Sequence, residues 1–488
     1  MVFNSFHYLA FFPAVVVGYF LLPQRARVAW LLLASLYFVG VASPVAALQT
    51  LAIVALGWLM GRAIDSAADK ERKHKLLTLG VLALVANLVV FKYAGFLNES
   101  LRSFFGWFGS DYPVPVLQLL LPLGISFYTF QVIAYLVDVA RGEKPERSLT
   151  SFGLFVTFFP KFVSGPIERG KKLLPQLRVK HELDYARIVG GVELMAWGFF
   201  KKIVVADRLG PFVARVYDDP RSFDGVGMAL ATWLFAFQVY CDFSGYTDIA
   251  RGSAKVMGFE LTENFNRPYF ATTVSDFWKR WHISLTSWLT DYIYTPLTRQ
   301  RRIKLKFYYT ILISLFITFV VSGFWHGAEW TFVVWGALHG AYLVCSMLTQ
   351  KWRARVAKSL KLQQVPRLHR AWKVGVTFSL VCFAYVFFQA DSMSDAFYIV
   401  THLFTGWGSA PAGVKAVLDG QWIELGFGLC GAALVLLLES GQTTGNVQER
   451  LAARPAWVRW CFYQVCAIGI LLFGALYDTK QSFIYFQF

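Results

Sequence analysis

Two histidines combine residue type and surroundings that could do chemistry: His282 in Phe277-Trp-Lys-Arg-Trp-His-Ile-Ser-Leu285 and His326 in Ser322-Gly-Phe-Trp-His-Gly327. Imidazole is the side chain whose ordinary titration lies nearest neutrality, so either residue could take up or release a proton during a reaction. A polar ring among apolar or small neighbours is unfavourable unless a partner or a substrate compensates it. Around His326 the glycines fall four apart, Gly323 with Gly327 and Gly336 with Gly340. Such faces let helices, or a thin acyl chain, approach closely. On the residues alone the structural readings stay open: His282 as a packed ring bonded to backbone, His326 as interhelical glue. His339, three residues past Gly336, reads as a structural hydrogen-bonder.

Other polar residues gather nearby in the chain. Tyr240-Cys-Asp-Phe-Ser-Gly-Tyr-Thr-Asp248 places Asp242 and Asp248 at the end of an apolar run. Carboxylates there usually face the protein interior or water; with Ser244 and Thr247 they either cap and tie helices or serve catalysis. Asn264-Phe-Asn-Arg-Pro-Tyr269 marks an irregular turn. After it, Phe277, Trp281, Leu285 and Trp288 fall on one helical stripe, and Trp278, His282, Leu285 and Leu289 on the adjoining one. With Lys279, Arg280 and Asp291 beside them, the spacing predicts one amphipathic helix lying along the membrane interface.

The elements that must position these residues are membrane helices. Of 488 residues, 56% are hydrophobic and 16% charged, and the mean hydropathy is +0.47, too apolar for one soluble core. Long apolar stretches lie near 8–22, 28–42, 46–60, 77–93, 115–139, 307–324, 330–347, 374–390, 422–439 and 459–477. Less clean ones lie near 150–165, 187–206 and 227–241. They are continuous rather than alternating, which excludes a membrane β-barrel and predicts an all-α polytopic protein of about 11 spans. The 150–165 segment, followed by basic residues from Lys161 to Lys180, reads as re-entrant. The +17 net charge falls in clusters at Arg25 and Arg27, at Arg62 to Lys75 and at Arg141 to Arg147. That placement fits cytoplasmic loops, with the N-terminus outside, better than nucleic-acid binding. The N-terminus has no positive region and no small-residue cleavage site, so it is expected to be retained. Six cysteines without a paired motif read as small buried hydrophobes, and no metal site is expected. Without a repeat or long linker, a single domain over 1–488 is the natural expectation.

These motifs, in order, resemble the membrane-bound O-acyltransferase superfamily. The similarity also takes in Phe91-Lys-Tyr93, Leu121-Pro-Leu-Gly-Ile-Ser-Phe-Tyr-Thr-Phe130, Phe159-Pro-Lys-Phe-Val-Ser-Gly-Pro-Ile-Glu-Arg169 and Phe483-Ile-Tyr-Phe-Gln-Phe488. Within the superfamily it is the bacterial branch of alginate O-acetylation proteins, peptidoglycan O-acetyltransferases and teichoic acid D-alanyl transfer proteins. The resemblance implies a central channel lined by re-entrant and interfacial helices, with His326 as the catalytic histidine and His282 as a second active-site histidine. Trp278, Trp281, Trp325, Asp242 and Asn264 would line the substrate site, and Lys161 and Arg169 a cytoplasmic entrance. It further implies acetyl-CoA, or an acyl carrier, as donor with no bound cofactor. An extracytoplasmic partner protein and a polysaccharide acceptor would complete the system at a bacterial inner membrane. A transporter or channel with a polar intramembrane path is the alternative class; no inverted repeat is visible to support it.

Overall fold

The computed structural model describes residues 1–115, 121–300, 306–440, 451, 454–474 and 483–484. The described residues contain helices and turns and no strand. Nine of these helices are long and apolar enough to cross a bilayer, and Phe6–Leu21 and Ile125–Ala140 are shorter apolar helices. The chain is therefore a multi-pass membrane protein. It divides into two compact units, Met1–Met195 with Thr247–Thr262, and Ala196–Tyr246 with Glu263–Phe488.

In the first unit, side-chain caps open three of the helices. Ser5 accepts from Tyr8 N, Ser43 from Ala46 N with Pro44 opening the next helix, and Asp69 from Arg72 N. Each cap supplies an acceptor to an amide that has no partner inside its own helix. The expected 115–139 span starts with residues outside the described set, and its helix begins at Ile125 after a left-handed Gly124. The 150–165 segment makes no spanning helix. Leu149–Thr157 ends at Phe158, and the turns from Phe159 to Gly165 are wholly buried.

The second unit holds the histidines. Helix Phe307–His326 turns through Gly327, Ala328 and Glu329 into helix Trp330–Leu348. The two helices cross where Gly323 meets Gly336: a Cβ built on either would lie 3.0 Å from the other's Cα and closer still to a backbone carbonyl, that of Phe332 or Phe319 respectively. The sequence spacing of small residues thus marks a real close approach. The less clean 227–241 stretch is part of a 32-residue helix, Gly225–Val256, that runs straight through Asp242 and Asp248. Neither aspartate caps a helix, because both lie inside one. The polar stretches 299–306 and 440–456 fall largely outside the described residues.

Replacing Gly323 or Gly336 by Leu would force these backbones apart, and overpacking of this kind costs about 1–3 kcal/mol or more. The expected outcome is a lower melting temperature of purified protein in detergent for Gly323→Leu and Gly336→Leu, with Gly375→Leu, where nothing lies within 4 Å of an added Cβ, as the unaffected control.

Candidate active site

The expected single helix around His282 is broken at the histidine itself. Val274–Trp278 forms one short helix, Ile283–Leu289 another, and His282 between them adopts φ +45° in the left-handed region. A non-glycine residue there is strained by about 1–2 kcal/mol and persists only if its surroundings fix it. The fixing comes from the asparagine-rich turn. Asn264 O accepts from Ile283 N at 3.0 Å, Asn264 Oδ1 from Ser284 N at 3.0 Å, and Asn266 N donates to Arg280 O at 2.9 Å. Arg267 in that turn is also left-handed, at φ +50°. On the approach, Thr273 caps Asp276 N, and Asp276 holds Arg280 at 2.8 Å. Two irregular segments therefore clamp one another, and His282 is presented at the clamp rather than along a stripe.

His326 is the last residue of its helix, where Gly327 ends it; a Cβ on Gly327 would enter the Phe332 ring. Both histidines are buried, and their ring centroids lie 6.4 Å apart at 71°. Trp325 stands edge-on to both, 5.9 Å from His282 and 4.9 Å from His326. Phe243 closes the His282 side at 4.8 Å; Trp335 at 4.9 Å and Phe388 at 5.5 Å close the His326 side. Two imidazoles within an aromatic enclosure can hand on a proton, orient a carbonyl and keep bulk water from a reacting centre.

The remaining expected residues divide. Trp325 is part of the enclosure. Trp278 donates its indole N–H to His339 Nδ1 at 3.2 Å and packs against Trp335. The ring neighbours of Trp281 are Tyr240, Phe265, Tyr269, Phe277 and Tyr385, a layer behind the enclosure that meets it where Phe265 packs on Phe243 and Tyr385 on Phe388. Asn264 acts through backbone as described. Asp242 pairs with Lys202 Nζ at 2.6 Å and accepts from Ile484 N at 2.9 Å. Its neighbour Phe243 is the residue that touches His282. In the first unit, Lys161 is fully buried and donates to Gln131 and, at 3.3 Å, to Val156 O. Arg169 precedes helix Gly170–Arg178, on which Lys171 and Lys172 are exposed.

Sequence reasoning missed the buried charge cluster of Lys202, Asp207 and Asp242. Lys202 Nζ lies 2.7 Å from Asp207 Oδ1 as well as 2.6 Å from Asp242 Oδ1. The intervening π-helical turn, Phe200–Ala206, brings residues five apart over one another, as its i→i+5 bonding requires. The signal was present: two lysines inside an apolar stretch with an aspartate five residues after the second. Also missed were Phe243, Trp335 and Phe388, which are indistinguishable by type from any other core aromatic. Among the described residues no group of three His, Cys, Asp or Glu side chains is arranged to hold a metal ion.

An all-helical membrane protein with two buried histidines facing one another across a tryptophan has the makings of a membrane enzyme that handles protons away from bulk water. The comparisons with known proteins define it further. Residues 147–388 match the profile described as "MBOAT, membrane-bound O-acyltransferase family". The chain is 35% identical over 419 residues to the probable alginate O-acetylase AlgI of Azotobacter vinelandii, covering 83% of this chain and 78% of that one. It is 33% identical over 427 residues to the peptidoglycan O-acetyltransferase of Helicobacter pylori, covering 80% and 77%. To the teichoic acid D-alanyltransferase of Bacillus subtilis it is 27% identical over 274 residues, covering 55% and 68%. The chain belongs to the membrane-bound O-acyltransferase family and is an O-acyltransferase.

Lys202→Met would leave two buried carboxylates without their cation, a change that costs about 3–5 kcal/mol when a buried pair is broken. The expected result is a large loss of thermal stability in Lys202→Met that is recovered in part when Asp207→Asn and Asp242→Asn are added. A triple variant no more stable than Lys202→Met would show that the charges do not compensate one another.

Proposed function

We propose that this chain moves an acetyl group from acetyl-CoA towards the hydroxyls of an exported polysaccharide, with His326 as general base. The observation that carries the reading is the buried pair, His282 and His326, 6.4 Å apart in an aromatic enclosure, in a chain of this family. A neutral acceptor hydroxyl is a weak nucleophile. As its oxygen attacks the thioester carbonyl, a base must take its proton; the C–S bond then breaks, and the proton passes from His326 to the departing thiolate. Its position as last residue of helix Phe307–His326 supports the role, because the carbonyl end of a helix favours the positive charge that the ring acquires as it takes the proton. His282, held rigidly by the Asn264 clamp, orients the acceptor or the thioester carbonyl, and Trp325 keeps the pair dry.

Acetyl is favoured over D-alanyl because the O-acetylase relatives align over more of the chain, and at higher identity, than the D-alanyltransferases. The polysaccharide acceptor follows the same relatives; the setting in a bacterial inner membrane, with an extracytoplasmic partner that completes the transfer, belongs to the same proposal and rests on the resemblance of the motifs alone. The exposed Lys171, two residues after the buried Arg169, supplies positive charge that would meet the phosphates of coenzyme A.

Two measurements test this reading. Purified protein in lipid should release free coenzyme A from acetyl-CoA when acceptor and partner are supplied, and His326→Ala should lower that rate by about 10²–10⁴-fold, the usual worth of a general base. His282→Ala should lower it too. Release at the wild-type rate by folded His326→Ala removes the base assignment. Separately, Lys171→Glu should raise KM for acetyl-CoA while leaving kcat in place, and an unchanged KM removes the donor-phosphate assignment.

A further inference from the structure

His339 enters neither the proton transfer nor the enclosure as described, yet it is fully buried in helix Trp330–Leu348, the partner of the helix that carries His326. Its Nδ1 accepts the indole N–H of Trp278 at 3.2 Å, which sets the tautomer of the neutral ring: the proton sits on Nε2. Nε2 itself has no hydrogen-bond partner among the described residues. The His339 ring meets Trp278 at 5.0 Å and 85°, and Trp335 at 5.0 Å and 70°. Trp335 in turn meets Trp278 at 5.7 Å and His326 at 4.9 Å.

The indole N–H of Trp335 has no acceptor among the described residues, so ring packing alone holds that side chain at its angle to His326. Trp278 is different, since one hydrogen bond fixes it. Of the two tryptophans behind His326, only Trp278 is thus tied by a hydrogen bond, and that bond ends on His339. Trp278 also closes the short helix that leads into the His282 bend. One acceptor nitrogen therefore stands behind both histidines: through Trp335 to His326, and through Trp278 to the segment that presents His282.

We propose that His339 is a positioning residue of the acyl-transfer site, its Nδ1 fixing Trp278 and, through it, the Trp278–Trp335 wall against which the His326 ring is set. The proposal rests on the assignment of His326 as the base. It requires an acceptor at the Nδ1 position, and it does not require an imidazole: an asparagine carbonyl can reach the same place, whereas a leucine of similar bulk cannot accept at all. Misplacement of reacting groups by about 1 Å can cost on the order of 10²-fold in rate, so loss of the anchor should appear in kcat.

The test compares steady-state coenzyme A release, and melting temperature, for the full chain in lipid carrying His339→Leu, His339→Asn, Trp278→Phe or Trp278→Phe with His339→Leu. The expected pattern is a fall in kcat of about 10–100-fold for His339→Leu with KM for acetyl-CoA little changed, and recovery of most of that loss in His339→Asn. Trp278→Phe should lower kcat similarly, and the double variant should be no worse than the poorer single one. If His339→Leu does not fold, the comparison of His339→Asn with Trp278→Phe carries the test, because the first keeps the hydrogen bond and the second removes it. An asparagine variant as slow as the variant without the bond, additive losses, or an unaffected leucine variant would each overturn the proposal while leaving His326 in place. Wild-type protein that releases no coenzyme A with acceptor and partner present would overturn the base assignment, and this inference with it.

Discussion

A peptide chain that bends inside a bilayer must find every one of its backbone hydrogen bonds within the protein, because lipid offers none. The arrangement around the two buried histidines depends on this constraint. His282 sits at a bend that straight helix would have avoided, and the amides after it, Ile283 N and Ser284 N, would be orphaned if Asn264 did not supply both its carbonyls to them. The asparagine turn is irregular for the same reason and is closed by the same contacts. Each segment satisfies the other, so neither can be straightened alone. The strain at His282 is held by neighbours that would lose hydrogen bonds if it relaxed.

The same accounting applies to charge. Lys202 lies between two aspartates, with the Ile484 amide completing Asp242, and Tyr240 donates to Glu439 elsewhere in that unit. In the first unit, Glu168 accepts from both the amide and the hydroxyl of Thr262. Arg27, which by position belongs to a basic cluster of a connecting loop, spreads its guanidinium over Tyr19 and donates to His181 O at 2.7 Å. Buried groups of this kind contribute little net stability compared with apolar replacements of the same shape, but breaking one partner is costly. Their effect is to make a single arrangement of helices much better than any slipped alternative. The phenyl ring of Phe243, one residue from Asp242, inherits that fixity and passes it to His282.

What could be read from sequence follows from how local each signal is. The membrane helices were legible because hydropathy sums over about 20 residues and survives individual exceptions. His326 was legible because a polar ring among glycines and tryptophans stands out from its neighbours. The bend at His282 was not, because spacings of four, three and four through Trp278, His282, Leu285 and Leu289 satisfy one helix as well as two helices broken at the histidine. The contrary information lay in Asn264, whose partners could not be guessed from position. Asp242 was singled out correctly as a residue needing a partner. The partner, Lys202, lies forty residues earlier; its spacing from Asp207 is a local mark of the turn between them, but nothing local ties that turn to Asp242. Trp281 stands one layer back: its ring packs on Phe265 and Tyr385, which in turn pack on the enclosure residues Phe243 and Phe388.

The two histidines are held by different devices, and this bears on how they could divide a reaction. His282 is fixed through backbone, by amides on its C-terminal side, and its ring stands at steep angles to Phe243 and Trp325. His326 ends a helix whose direction is set by the Gly323–Gly336 crossing, and its ring is set by side chains, Trp325, Trp335 and Phe388. A ring held through backbone keeps its place when a substrate arrives, which suits an orienting group. A ring held by side-chain packing can turn slightly as charge develops on it and as the proton is gained and then given up, which suits a base. With centroids 6.4 Å apart and planes at 71°, the rings are not stacked on one another. In the proposed reaction the two histidines would meet the substrate in different roles, with Trp325 between them and Trp335 behind His326 setting their spacing.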